Sequence, residues 1–225
     1  MAQKIALISL GCAKNLVNSE QMLCMLDDAG FELVSDPDGA DAAIVYTCGF
    51  IDPAKMEAID NILWLGELKG EGKLGKIIVS GCLSERYREE LFTEMPEIDA
   101  LVGTGSFGEI VSVVKSVLDG KTEVASFGDI DAPVDETGRV VTTGPAWAYI
   151  RIAEGCDNHC AYCVIPSLRG KFRSRPMENV VAEARALAES GVKELIVVAQ
   201  DITRYGTDLY GKRSLAELVR ELCGI

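Results

Sequence analysis

Lys4-Ile5-Ala6-Leu7-Ile8-Ser9-Leu10-Gly11-Cys12 is a short apolar run that ends on a glycine and a cysteine. Helical spacing follows over residues 16–29 and stops at Gly30, so the run reads as a strand that turns into a helix. The same phrase returns twice. Residues 42–47 form a second apolar strand ending on Cys48; Pro53 then stands at a favourable first helical position, for a helix to about residue 68. Residues 76–80 form a third strand, followed by Gly81, Cys82 and a helix near 84–94. A short fourth strand at 99–102 and a helix at 107–118 continue the pattern. Strands with helices between them predict an α/β fold, an open parallel sheet with flanking helices over residues 1–119.

Residues 120–145 change character. Gly120, Gly128, Pro133, Gly138, Gly144 and Pro145 punctuate them, which predicts a linker with a small hairpin around Thr137 and Gly138. A second alternating pattern fills residues 146–225. It has a strand at 147–153, a helix at 177–190, a strand at 193–199 and a helix at 214–223. Leu215, Leu218, Val219 and Leu222 recur at helical spacing in the last of these. No internal repeat or low-complexity tract is visible.

The composition, 48% hydrophobic and 25% charged, suits a globular chain that buries a core. No apolar run reaches the roughly 18 residues needed to span a membrane, and the start carries no secretory signal pattern, so a cytoplasmic, membrane-free protein is expected. The net charge of −13 is uneven. Residues 1–140 carry 11 Lys and Arg against 25 Asp and Glu, whereas residues 141–225 carry 11 against 10. The acidic part would repel a phosphate backbone and favour a basic partner, although an acidic surface also serves solubility alone. Eight cysteines without an export signal point to metal binding or thiol chemistry rather than disulfides. The single histidine, His159, argues against His-rich zinc sites and a Ser–His–Asp triad.

Cys12, Cys48 and Cys82 each follow a strand by one or two residues, at the turn into a helix. In an open parallel sheet those turns share one edge, where such folds bind ligands. Gly11, Gly49 and Gly81 flank the cysteines and allow close backbone approach. Three thiolates without a fourth suit an iron–sulfur cluster with one open iron. A zinc site of three cysteines and water competes, as do three unrelated core cysteines.

Cys156-Asp157-Asn158-His159-Cys160-Ala161-Tyr162-Cys163 is a sharper signal, three cysteines spaced C-x3-C-x2-C after a strand. One loop so spaced can wrap three irons of a cubane and leave the fourth for an outside ligand. A zinc knuckle with His159 is the alternative. Arg169, Lys171, Arg173 and Arg175 follow, a cationic stretch that could bind an anion or the acidic first part, or be a solvated loop. Cys24 lies opposite the predicted buried face of its helix, formed by Leu16, Met22, Leu23 and Leu26. Cys223 is expected in the core.

Two such trios in this order resemble the methylthiotransferase family of radical S-adenosylmethionine (SAM) enzymes over essentially the whole chain. Ser9-Leu10-Gly11-Cys12-Ala13-Lys14-Asn15, Thr47-Cys48-Gly49-Phe50-Ile51-Asp52, Ile165-Pro166-Ser167-Leu168-Arg169-Gly170 and Gln200-Asp201 before Tyr205-Gly206 look like the type that modifies an aspartate of small ribosomal subunit protein twelve. The tRNA-modifying relatives usually show Gln-Met-Asn after the first cysteine and Asn-Thr-Cys at the second; this chain has Ala13-Lys14-Asn15 and Tyr46-Thr47-Cys48. The resemblance implies two 4Fe-4S clusters, one on Cys156, Cys160 and Cys163 that cleaves SAM to a 5′-deoxyadenosyl radical, and one on Cys12, Cys48 and Cys82 that carries the sulfur. It places Tyr162 near the SAM adenine and implies an external electron donor and a basic ribosomal protein substrate. Direct nucleic-acid binding by this part is not expected. It further implies that residues 146–225 are the first units of a partial radical-SAM β/α barrel, continued in the family by further units and a small C-terminal barrel. A tRNA methylthiotransferase and a metal-binding or electron-transfer module without radical chemistry are the competing readings.

Overall fold

The computed structural model describes residues 2–134 and 136–225. They divide into two compact units, Met1–Ile130 with Thr137–Val140, and Asp131–Glu136 with Val141–Ile225.

The first unit is built from β1 (Lys4–Ser9), α1 (Ala13–Asp28), β2 (Glu32–Val34), β3 (Ala42–Thr47), α2 (Asp52–Gly70), β4 (Lys76–Gly81), α3 (Cys82–Tyr87), α4 (Glu90–Glu94), β5 (Ala100–Val102), α5 (Ile110–Leu118) and β6 (Val124–Ser126). The strands form a six-stranded sheet in the order β2-β1-β3-β4-β5-β6, with every pair parallel. Alternation along the strands sends Ala43, Val45, Ile77 and Val79 to the face covered by α2, α3 and α4. Ala42, Ile44, Tyr46 and Ile78 point to the face covered by α1 and α5. Both faces are buried, so the central strands β3 and β4 read as continuous apolar runs.

The expected elements form, with informative differences. The helix expected at 84–94 is broken into α3 and α4, because Arg88 takes a left-handed φ of 45°. The edge strands β2 and β6 have three residues each, too short to show a periodicity. β6 lies inside the stretch that reads as a linker. No hairpin forms around Thr137 and Gly138 among the described residues, because that segment is tied to α1 instead. Val140 N–H donates to the Glu20 carbonyl (3.1 Å), Gln21 Nε2 to the Thr137 carbonyl (3.4 Å), and Arg139 pairs with the buried Glu20 (3.1 Å). For that reason, and because Asn15 and Asn18 bond to Thr47 and Tyr46 of β3, α1 does not bury the face that its apolar spacing predicts. Leu16 and Leu23 are only partly buried, while Asn15, Asn18, Glu20 and Gln21 are buried beside Met22 and Leu26.

The second unit follows as β7 (Trp147–Arg151), β8 (Ala153–Glu154), α6 (Ile165–Arg169), β9 (Arg173–Ser174), α7 (Met177–Glu189), β10 (Glu194–Val198) and α8 (Leu215–Leu222). β7 and β10 pair in parallel with α7 as the crossover, and α8 follows β10, which gives two β/α units. The expected strand at 147–153 divides at Ile152, and its end, β8, pairs antiparallel with β9. Ile150, Ile152, Val180, Ala184, Tyr205 and Leu218 form the core. Cys223 is exposed rather than buried, one residue beyond α8. No helix among the described residues is long and apolar enough to cross a membrane.

Candidate metal centres

β1, β3 and β4 are adjacent in the sheet and parallel, so their carboxyl ends lie side by side. Cys12 is the N-cap of α1, Cys48 follows β3 directly, and Cys82 opens α3. The flanking glycines mark how closely these turns pack. A side chain on Gly11 (φ +93°) would meet the Cys48 Cβ at 2.8 Å, and one on Gly49 would meet the Cys82 carbonyl oxygen at 2.6 Å. Gly81 (φ +99°) faces the Thr47 carbonyl oxygen at 2.7 Å.

Two polar side chains stitch the three turns together. Asn15 Nδ2 donates to the carbonyls of Leu10 (3.0 Å) and Thr47 (3.1 Å), while its Oδ1 lies 3.7 Å from the Cys12 thiol that donates to it. Thr47 Oγ1 donates to the Ser80 carbonyl (2.7 Å) and accepts from Leu83 N–H (3.3 Å). Arg86 caps the Gly49 carbonyl at 2.7 Å. Exposure is graded, with Cys12 exposed, Cys48 partly buried and Cys82 buried.

The second trio stands on the loop after β8. Gly155 turns the chain with φ +76°, where any side chain would run into the Lys171 carbonyl. Cys156 N–H donates to the Gly170 carbonyl (3.0 Å) and Cys163 N–H to the Cys160 carbonyl (2.9 Å). Asp157 accepts from Phe172 N–H (3.0 Å) and pairs with Arg204 (3.3 Å), and Asn158 donates to Asp201 (3.2 Å). Hydrogen bonds from Thr203 and then Asn158 hold the Asp201 carboxyl below its ordinary range. Glu154, buried just before the loop, accepts from Arg151 (3.3 Å), Arg169 (3.4 Å) and Gln200. Cys160 is exposed, and Cys156 and Cys163 are partly buried. Tyr162 is 89% exposed, with its ring free to meet a ligand.

Three of the four cations in this stretch are taken up in the structure, and Lys171 is exposed. Arg169 is buried on Glu154, Arg175 is buried between Glu136 and Glu183, and Lys171 and Arg173 face Asp131. Cys24 stands within α1, beyond its first turns; burial and then Asp28 raise its thiol pKa.

Among the described residues no three His, Cys, Asp or Glu side chains form a metal-holding group. The trios are therefore brought together by backbone position, not thiol to thiol. Their donor chemistry nevertheless fits an iron–sulfur cluster: three soft sulfur donors at each place, on ordered loops with room at the exposed cysteine. His159 is exposed on the same loop with φ +46°. Sequence reading alone missed Asn15, Thr47, Glu154 and the Asp157–Arg204 pair as positioning groups. For Asn15, Thr47, Glu154 and Asp157 the sequence signal is closeness to a cysteine; Arg204 lies far from any and carries none.

Comparison with known proteins agrees with this layout. Residues 4–103 match the Uncharacterized protein family UPF0004, and residues 150–224 match the Radical SAM superfamily. Ribosomal protein uS12 methylthiotransferase RimO of Lachnoclostridium phytofermentans is 52% identical over 223 residues, covering 99% of this chain and 50% of that protein. The protein of the same name from Clostridioides difficile (strain 630) is 53% identical over 223 residues, with the same coverage. The chain thus spans about half the length of the curated relatives it matches. In structure it is similar to the radical S-adenosylmethionine methyltransferase TsrM from Kitasatospora setae, solved with tryptophan substrate and a SAM analog. The TM-score is 0.65 at 14% identity, covering 98% of this chain and 51% of that one, a likeness of fold alone. The chain thus carries a stretch that matches UPF0004 followed by one that matches the Radical SAM superfamily, and about half its residues are identical to those of the two methylthiotransferases over the part it shares with them.

Proposed function

We propose that this chain is the cluster-bearing part of an enzyme that adds a methylthio group to the β-carbon of an aspartate in ribosomal protein uS12. In this reading Cys156, Cys160 and Cys163 hold one 4Fe-4S cluster, Cys12, Cys48 and Cys82 hold a second, and Tyr162 stacks on the adenine of SAM. The observation that carries it is the placement of the first three cysteines at the carboxyl ends of three adjacent parallel strands. When bound, the cluster of the second trio supplies an electron to SAM and an open iron to hold it.

The chain's own residues orient and hold. Asn15 and Thr47 keep the three turns of the first trio at fixed spacing. Asp157 and Asn158, held by Arg204 and Asp201, position the second loop around its cysteines. The acidic balance of residues 1–140 favours a basic protein substrate over RNA. In this reading the setting is reducing and cytoplasmic, and an external donor supplies the electron.

The test is iron and sulfide per chain after anaerobic reconstitution. About eight irons are expected for the wild type and about four after Cys12, Cys48 and Cys82→Ala. About four in both proteins would remove the first trio from the reading and, with it, the source of the transferred sulfur.

A further inference from the structure

α2 has two apolar faces, and the sheet accounts for one. Ala58, Ile62 and Leu65 recur at helical spacing and are fully buried against the sheet. Met56, Ile59 and Leu63 recur at the same kind of spacing on another side, with Met56 56% and Leu63 49% exposed. This second stripe is one wall of a groove of ≈500 Å³, whose other wall is Leu83 and Leu91 with Met95. The two methionines give it adaptable walls. Ile51 and Phe50, also exposed, continue the apolar surface along the chain from α2 back to Cys48. A connected apolar surface of this kind on an otherwise charged domain marks a place where something binds.

Charge says what kind of partner. Asp52, Lys55 and Glu94 stand at the groove, Lys55 paired with Asp52 (2.6 Å) so that Glu94 is the uncompensated charge there, and α2, α3 and α4 together carry seven Asp and Glu against three Lys and Arg. A nucleic-acid backbone is repelled by such a surface, and a second copy of a chain with net charge −13 is opposed by its own field. A basic segment with an apolar anchor satisfies both features.

We propose that this groove docks a basic segment of a protein partner. An aliphatic or aromatic side chain fills the apolar trough while flanking lysines or arginines meet the acidic helices. Resting on the function proposed above, that partner is the ribosomal protein substrate, held beside the sheet edge that carries Cys12, Cys48 and Cys82.

The experiment titrates fluorophore-labelled, purified uS12 into the full chain at low and high salt. It compares the wild type with Leu63→Lys and with Val219→Lys, a control of similar exposure on α8. Wild-type binding should weaken with salt. Leu63→Lys should lose about tenfold or more in affinity. Val219→Lys should stay within about twofold, and circular dichroism should find all three folded. Equal binding by Leu63→Lys, or no binding by the wild type, overturns the proposal. So does a wild-type dimer that Leu63→Lys dissociates without affecting uS12. None of these outcomes touches the iron content on which the cluster assignment stands, so the two can fail separately.

Discussion

Asn15 holds three pieces of chain with one carboxamide, on the carbonyls that end β1 and β3 and on the Cys12 thiol. Asn15→Ala leaves two carbonyls short of a partner, and the expected cost is about 1–3 kcal/mol. Urea unfolding should register it as a lowered midpoint. Iron per chain should fall toward the value of the variant without the first trio, because the turns of β1 and β3 are no longer tied. An Asn15→Ala chain that reconstitutes fully would contradict this positioning role. Only part of it is legible in the sequence. Asn15 lies three residues beyond the capping Cys12, so helical geometry brings it back to that thiol. Its bond to Thr47 spans 32 residues and leaves no local trace. The buried Asn18, Glu20 and Gln21 are illegible for a related reason: polar residues on a helix are read as facing water, but Asn18 is interior on the Tyr46 hydroxyl (2.7 Å) and Glu20 and Gln21 on the segment 137–140.

At the scale of elements, the turns are tighter than the strands. Gly81 and Gly155 both have positive φ and both press on a facing carbonyl, so an alanine meets conformational strain and a clash together. Gly155→Ala should cost about 1–3 kcal/mol or more. It should also abolish iron binding by the second trio while leaving the first, a loss read from iron content and from the thermal midpoint. Tyr205 makes a different prediction. Burial and then Tyr210 push its phenol well above the ordinary value of 10.0, and its hydroxyl donates to the Arg175 carbonyl (3.0 Å). Above that ordinary value the unfolded chain has released the proton and the folded chain has kept it. The unfolded state then binds fewer protons, and stability falls as pH rises. Denaturant titrations between about pH 8 and 11 should record that decline, and Tyr205→Phe should flatten it. The six-residue strands and long helices are legible because their apolar runs exceed one turn of either period. β2, β6 and the break at Arg88 rest on three residues or one, below what periodicity resolves.

For the whole molecule, the contrast between the two trios matters most. Cys156, Cys160 and Cys163 lie within one loop and are legible as a motif in isolation. Cys12, Cys48 and Cys82 are separated by whole strand–helix units, and their kinship is visible only once three strands are recognised as neighbours. The second set is contiguous in sequence; the first is not. Its three anchors exist together only while β1, β3 and β4 keep their register, since slipping one strand by a residue would turn its cysteine away from the others. The first site therefore inspects the chain that builds it. On the function proposed above, a newly made or damaged copy whose sheet has not closed correctly would still have all its sulfur, yet nowhere to mount a cluster on these three cysteines.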